Sequence, residues 1–494
     1  MPKAQSQPPT HSITCFRLSS IAALLLAPMF ISCGVSNRYQ DLRSGPEAAN
    51  SRVEGTGEIL ETLAKGYIYS AIREPFSYTS SGLALLWHRP REIVVGNLPP
   101  DAMFGPSPDA RPGTEAFEVW LTEQGLPEPH SGTMKTLVDG EEFFTQLDKE
   151  TDRARSSISI QTFIFDNDDF AVAYANRLRS RADAVDVKVL YDDLGTVLSS
   201  MAEPETPPPP GFIAPKNISE VLKARPTNLK VRNTLNPWLV ADHTKMYLFD
   251  DKVAFVGGMN IGREYRSEWH DLMVRIEGPI VHALSADFQN RWANTRFPGP
   301  IPFSGNPASD HTAHQTPKRA THGIRILRTD IVEPRFEILE AAVAGIRAAK
   351  RRVWLQTPYF SSDTIERELI AASERGVDVR VVFPDKSDST LMSLANDASA
   401  LDLHDAGARV YVYPGMTHLK ALICDDWAMV GSANKDTLSM QINRELNLTT
   451  AHPRFVRELG RRVFIKDFSI SKRFNPKTAE GILPKVAEAV ADQL

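Results

Sequence analysis

One short polar sequence occurs twice in this chain, and that repetition constrains its architecture more than any other feature. His243-Thr244-Lys245 is followed by Asp250 and then by Gly257-Gly258-Met259-Asn260. His418-Leu419-Lys420 is followed by Asp425 and then by Gly431-Ser432-Ala433-Asn434. Both copies read H-x-K-x-x-x-x-D, trailed by a small-residue turn G-[GS]-x-N. One three-residue match is within reach of chance; two, each with the same turn behind it, mark a duplication. Other pairs agree. Gln161-Thr162 with Asp168 parallels Gln356-Thr357 with Asp363, and Val185-Asp186-Val187-Lys188 parallels Val377-Asp378-Val379-Arg380.

These residue types suit displacement at a phosphodiester. A neutral imidazole attacks phosphorus and forms a covalent phosphohistidine, splitting one hard displacement into two easier ones. A second, protonated imidazole gives its proton to the leaving alkoxide and later takes one from the incoming alcohol or water. Lys245, Lys420, Asn260 and Asn434 can hold charge on the non-bridging oxygens. Two positions apart, His and Lys point to the same face of a strand. Seven residues past each histidine, Asp250 and Asp425 fall on the other face or in the turn beyond, which suits scaffolding better than proton transfer. A single such motif reads equally well as an amphipathic strand with a solvated lysine; the pair does not.

At these residues the chain resembles the phospholipase D superfamily, whose members carry two such motifs around one active site. The resemblance runs from about residue 130 to about residue 470. Within the superfamily it is similar to the bacterial cardiolipin synthase branch, through Thr357-Pro358-Tyr359-Phe360, Arg375-Gly376-Val377-Asp378-Val379-Arg380, and Trp269-His270-Asp271 running into Arg275-Ile276-Glu277-Gly278-Pro279. The resemblance implies that His243, Lys245, Asp250, His418, Lys420 and Asp425 form one catalytic set. One histidine, usually the first, would be the nucleophile and the other the general acid, with Asp271 and Glu445 orienting the imidazoles.

Each repeat reads as a helix (141–154; 333–350), a strand (156–165; 352–357), a helix (169–182; 363–375) and a strand (185–191; 377–383). A further strand precedes each motif (229–234; 408–413), and a helix closes each repeat (279–295; 453–465). The strands are short apolar runs, as in sheets covered by helices. The expected fold class is α/β: two duplicated phospholipase D-like sandwich halves, each a mixed sheet flanked by helices, sharing one active site at their interface. The expected organisation is a signal peptide with lipobox (1–33), an N-terminal extension (34–125), a first half (126–296), a linker (297–324), a second half (325–475) and a C-terminal tail (476–494). Residues 34–125 have no functional reading beyond packing against the core or spacing it from a membrane. Pro207 to Pro210, with Glu203-Pro204-Glu205-Thr206 before them, cannot enter a sheet or a helix interior and form a polyproline-type loop, either a lid or a plain surface excursion.

Residues 1–40 lack Asp and Glu and carry Lys3 and Arg17 ahead of the apolar run Ile21 to Ile31, which is too short to span a bilayer and reads as a secretory signal. It ends in Phe30-Ile31-Ser32-Cys33-Gly34, which resembles a bacterial lipobox with Cys33 as the lipidated residue, although Phe30 stands where Leu is usual. The alternatives are ordinary signal cleavage nearby or an uncleaved inner-membrane anchor. The expected location is the bacterial cell envelope, periplasm-facing and tethered. Of three cysteines only Cys424 lies in the folded body, so no internal disulfide is possible there.

H-x-K is poor spacing for metal ligands, because a protonated lysine repels a cation, and neither His270-Asp271 nor His311 with His314 offers a ligand quartet. Those histidines read as surface or structural groups; no metal and no other cofactor is expected. A net charge of −5 does not suit a protein that grips nucleic-acid backbones. The expected partners are a phospholipid substrate and a membrane surface, not nucleic acid, with a monomeric active unit. Three classes compete: a phosphatidyltransferase, a phospholipase D-type hydrolase with water as acceptor, and a nuclease or silent envelope protein. The first is favoured and the second is the runner-up.

Overall fold

A computed structural model describes residues 109–193, 195–196, 206–234, 240–295, 322–331, 333 and 335–479. The signal segment with Cys33, the extension up to 108, Glu203 to Glu205, the linker up to 321 and the tail from 480 lie outside the described residues.

The duplication is visible in the order of the strands. The first sheet holds β1 (Thr133–Val138), β2 (Ser157–Thr162), β3 (Asp186–Asp192), β4 (Lys230–Thr234), β5 (Met246–Phe249), β6 (Val253–Gly257) and β7 (Leu272–Glu277), arranged β1-β7-β6-β5-β2-β3-β4. The second holds β8 (Ile324–Asp330), β9 (Arg335–Phe336), β10 (Arg352–Gln356), β11 (Asp378–Pro384), β12 (Arg409–Tyr413), β13 (Ala421–Cys424), β14 (Trp427–Gly431), β15 (Glu445–Thr450) and β16 (Lys472–Arg473), arranged β16-β12-β11-β10-β13-β14-β15-β8-β9. Without the short end strands β9 and β16 the two orders coincide. In both sheets three strands run parallel, and an antiparallel hairpin (β5–β6; β13–β14) follows the H-x-K segment.

The expected helices are present as Asp139–Arg153, Asp169–Arg181 and Ile280–Asn294, and as Glu337–Ala348, Asp363–Glu374 and Pro453–Leu459. Several features differ from the sequence reading. Besides β6, β7, β14, β15 and the helix Thr390–Asp405, the strands β1 and β8 were not anticipated, and each pairs along the full length of β7 or β15. His243-Thr244-Lys245 and His418-Leu419-Lys420 lie in extended chain just before β5 and β13, outside the regular ladders. The closing helix of the second half does not run straight through 465. It passes into a π-helical segment at Gly460–Ile465 and resumes at Lys466–Ile470.

Side-chain alternation explains why the hairpin strands are apolar on both faces. Met246 and Leu248 of β5 share a core with Ala421 and Ile423 of β13 and Leu446 and Leu448 of β15. Their neighbours Tyr247 and Phe249 point the other way, where Phe143 of the first helix stacks edge-on against Tyr247 at 5.2 Å. The two sheets thus face each other, with helices outside, and each fully buried Leu or Ile between them contributes roughly 1.5–3 kcal/mol. The helix Glu115–Glu123, at the end of the N-terminal extension, also enters a core. Phe117 meets Trp427 edge-on at 5.8 Å, and Arg325, buried beneath it, donates to the carboxylate and carbonyl of Glu118. Because the central core belongs to both halves, they will unfold together. Calorimetry should show one transition for this body, lowered as a whole by Ile423→Ala, which removes about 2–5 kcal/mol; separate transitions for the halves would contradict the shared core.

Candidate active site

The motif aspartates sit at the far end of the hairpin strand from the histidines, roughly 20 Å of extended chain away at about 3.3 Å per residue. Asp250 and Asp425 have left-handed backbones, with φ of 55° and 51°, which Asp tolerates better than most side chains. From there the Asp250 carboxylate accepts the N–H groups of Arg155, Ser156 and Ser157 at 2.7–3.0 Å. Asp425 does the same for Lys350, Arg351 and Arg352 at 2.9–3.0 Å. Each aspartate therefore ties the motif hairpin to the start of β2 or β10. Burial pushes the Asp250 carboxyl upward, but the Ser157, Ser156 and Arg155 donors outweigh it and hold it below the usual carboxylate range. Grouping these residues with the catalytic set is corrected to a structural role. Asp425→Asn should cost about 1–3 kcal/mol in denaturant unfolding and change kcat far less than Tm.

The histidines are held by residues of the opposite half. His243 N–H donates to Arg444 O at 2.9 Å, and Arg444 N–H returns a bond to Ala241 O at 2.9 Å. In the mirror arrangement His418 N–H donates to His270 O at 2.7 Å, and His270 N–H donates to Met416 O at 3.1 Å. These two parallel bridges, Asp242 with Arg444 and His270 with Thr417, bring each histidine beside the other half's acid. His243 Nδ1 lies 2.8 and 3.1 Å from the two oxygens of Glu445; His418 Nδ1 lies 2.7 Å from Asp271 Oδ2. A carboxylate at Nδ1 fixes that proton and turns Nε2 toward the reacting centre.

The turn G-[GS]-x-N serves these acids. A side chain at Gly258 would place its Cβ 2.2 Å from Asp271 Oδ1, so glycine leaves the room that carboxylate occupies. Ser432, at the matching position, instead donates its hydroxyl to Glu445. Asn260 accepts from Thr162 Oγ1 at 3.1 Å and Ile164 N at 3.0 Å, whereas Asn434 Oδ1 is buried without a hydrogen-bond partner among the described residues. Both motif lysines are buried: Lys245 Nζ donates to His243 O at 2.9 Å and Lys420 Nζ to His418 O at 2.6 Å.

Several site residues had escaped the sequence reading. Trp269 and Tyr265 pack on the His418 ring at 5.1 and 5.6 Å, and Tyr359 lies at 6.4 Å. Phe163 meets His243 edge-on at 4.9 Å and lies beneath Lys245 Nζ at 5.1 Å. Gln161 and Gln356, noticed only as repeat markers, donate to Asp242 and Thr417, the residues just before the two histidines. The wall residues come from three separated segments, so no local pattern groups them. No cluster of three or more metal-ligating side chains occurs among the described residues.

Burial, with Lys245 nearby, lowers the His243 imidazole to about 4 despite Glu445. Burial and the Lys420 and Lys245 ammonium groups push His418 well below the ordinary range as well; Lys420 Nζ is 2.8 Å from both ring nitrogens. These shifts favour neutral imidazoles on both histidines beside the two buried lysines. An arriving phosphodiester brings the negative charge that offsets the lysines and lets one imidazole hold a proton.

The family described as "Cardiolipin synthase, PLD-like domain" matches residues 147–292 and 343–466, both motif-bearing halves. The chain belongs to this family. Among curated members of cardiolipin synthase type, the probable cardiolipin synthase YwiE of Bacillus subtilis (strain 168) is 30% identical over 369 residues, covering 69% of this chain and 67% of that protein. Cardiolipin synthase A of Pseudomonas putida (strain GB-1) is 29% identical over 340 residues, covering 65% of this chain and 66% of that one. Among solved structures, the phosphatidylserine synthase of Haemophilus influenzae Rd KW20 aligns over 76% of this chain and 100% of its own with a TM-score of 0.59; at 13% identity this likeness speaks to the fold. In this cardiolipin synthase-family chain each motif histidine relies on the other half's acid. Glu445→Gln and Asp271→Asn should each slow single turnover by about 10²- to 10⁴-fold. Wild-type single-turnover rates in either variant would contradict the crossed pairing.

Proposed function

We propose that this protein is a phospholipid phosphatidyltransferase working through a covalent phosphohistidine. The observation that carries this reading is the pair of neutral imidazoles, each fixed by the opposite half's carboxylate, beside two buried lysines in a chain of cardiolipin synthase kinship. His243 is taken as the nucleophile because its side chain is the more open, 12% exposed against 3% for His418. Its Nε2 forms a bond to phosphorus as the bond to the head-group oxygen breaks, and His418 supplies the proton that oxygen takes. A second alcohol then loses its proton to His418 and attacks phosphorus, and His243 leaves. Lys245 and Lys420, with the amides of Asn260 and Asn434, would offset charge on the non-bridging oxygens.

Hydrolysis uses the same residues with water in the second step. The aromatic wall of Trp269, Tyr265 and Tyr359 around His418 favours transfer, because it disfavours bulk water beside the general base. Export, lipidation at Cys33, a membrane-surface position and a monomeric active unit complete the proposal; they rest on the sequence, since residues 1–33 lie outside the described residues.

The test is lipid product analysis by mass spectrometry on mixed phosphatidylglycerol and phosphatidylethanolamine vesicles, beside a His243→Ala/His418→Ala control. Cardiolipin formed by the intact protein alone, with the control slower by at least about 10³-fold, is the expected result. Phosphatidic acid without cardiolipin would establish the hydrolase instead. No product from either lipid would overturn the phospholipid assignment.

A further inference from the structure

The two halves anchor their crossed bridges with different cations. Before Glu445 stands Arg444, which donates through Nε to Asp330 at 2.9 Å and is permanently charged. Before Asp271, at the matching place, stands His270. Its Nδ1 lies 2.6 Å from Asp139 Oδ1 and its Nε2 3.0 Å from Asp467 Oδ2, while its ring stacks on Tyr413 at 4.7 Å with 10° between planes. Both ring nitrogens face carboxylate oxygens, so both must carry hydrogen, and the geometry calls for an imidazolium. Asp467 is fully buried on the helix resumed after the π-helical segment, and among the described residues its carboxylate has His270 as its one hydrogen-bond partner. Asp139 reaches the ring from a left-handed backbone, φ 65°, at the start of the first helix. His270 thereby ties Asp139 of the first half to Asp467 of the second. Its own main chain receives the His418 N–H, and the next residue, Asp271, orients the His418 ring.

We propose that His270 is a positioning residue that keeps the acid–base His418 in place only while its imidazole is protonated, making the His418 side of the site sensitive to alkaline pH and leaving the Arg444 side insensitive. This rests on the phosphatidyltransfer reading above. The groups facing the ring are Asp139, Asp467, the Tyr413 hydroxyl, Asp271 on the same strand segment, and Arg266, Glu141 and Glu268 around an adjoining cavity of about 430 Å³. That cavity opens to solvent and gives the buried ring a route for proton exchange. Burial lowers the His270 imidazole, but the Asp139 and Asp467 carboxylates more than offset this and raise it to about 9. The bridge thus holds until pH rises through about 9, and its contribution to stability, full below the unfolded-state value near 6.5, is lost over that interval. Deprotonation would leave one buried carboxylate facing a lone pair.

The experiment compares the wild type, His270→Arg and Asp467→Asn on phosphatidylglycerol vesicles from about pH 6.5 to about pH 10.5. Wild-type kcat should fall about tenfold per pH unit above its alkaline break, with KM changing less than about twofold. His270→Arg, which copies Arg444, should retain most of the neutral-pH turnover and lose the break. Asp467→Asn should move the break down by about one unit. An alkaline break unchanged in both variants would overturn the proposal and assign the limb to another group, such as the buried Lys435 ammonium, lowered to about 8 by burial. If the wild type makes no product at any pH, the functional reading fails, and the bridge is judged by Tm. The wild type should lose more Tm than His270→Arg between neutral and alkaline pH; equal losses would overturn it.

Discussion

The structure depends on a crossed exchange of backbone hydrogen bonds between two copies of one motif. The chain just before each histidine forms a parallel bridge with the chain just before the other half's acid, so neither half holds a complete histidine–carboxylate pair by itself. Because the bridges are main-chain bonds of 2.7–3.1 Å, the imidazoles are set by backbone position and not by side-chain rotamers alone. The apolar faces of β5–β7 and β13–β15 press the two sheets together behind the bridges, and their shared core keeps the crossed geometry from opening.

Given that constraint, the remaining motif residues have assignable physical tasks. Gly258 leaves room for a carboxylate, Ser432 donates to one, and the aspartates at the far hairpin ends cap three backbone N–H groups each. The lysines and burial keep both imidazoles neutral until an anion arrives, which is the protonation state a nitrogen nucleophile requires. The duplication is not exact where it matters chemically. His418 sits behind an aromatic wall and is anchored through a titratable histidine; His243 is more open and is anchored through an arginine. Such asymmetry is what lets two copies of one motif divide the work of nucleophile and proton carrier.

Much of this was legible in the sequence, and for a physical reason. A two-fold repeat of H-x-K with its trailing turn is a local pattern, and the buried parallel strands announce themselves as apolar runs between helices. The crossing was not legible, because Asp271 and Glu445 lie in both halves at matching positions and sequence spacing does not say which histidine each will face. Nor were β1 and β8, whose polar-to-apolar edges resemble loops until paired with β7 and β15. His270 read as a surface or structural group because its partners, Asp139 and Asp467, are contributed by distant helices of different halves; the structure makes it structural and buried. The aspartates were expected on the other face of the strand or in the turn beyond and lie in the turn, but the backbone groups they cap lie about a hundred or fewer residues earlier and have no sequence signature.

A crystal structure of the protein with orthovanadate, which adopts the five-coordinate geometry of phosphorus in flight, tests the composite site most directly. The account predicts one vanadate spanning the halves, bonded to His243 Nε2 with His418 Nε2 on the opposite side and Lys245 and Lys420 at its oxygens. Vanadate held by the residues of one half alone, or one ion bound separately in each half, would contradict it.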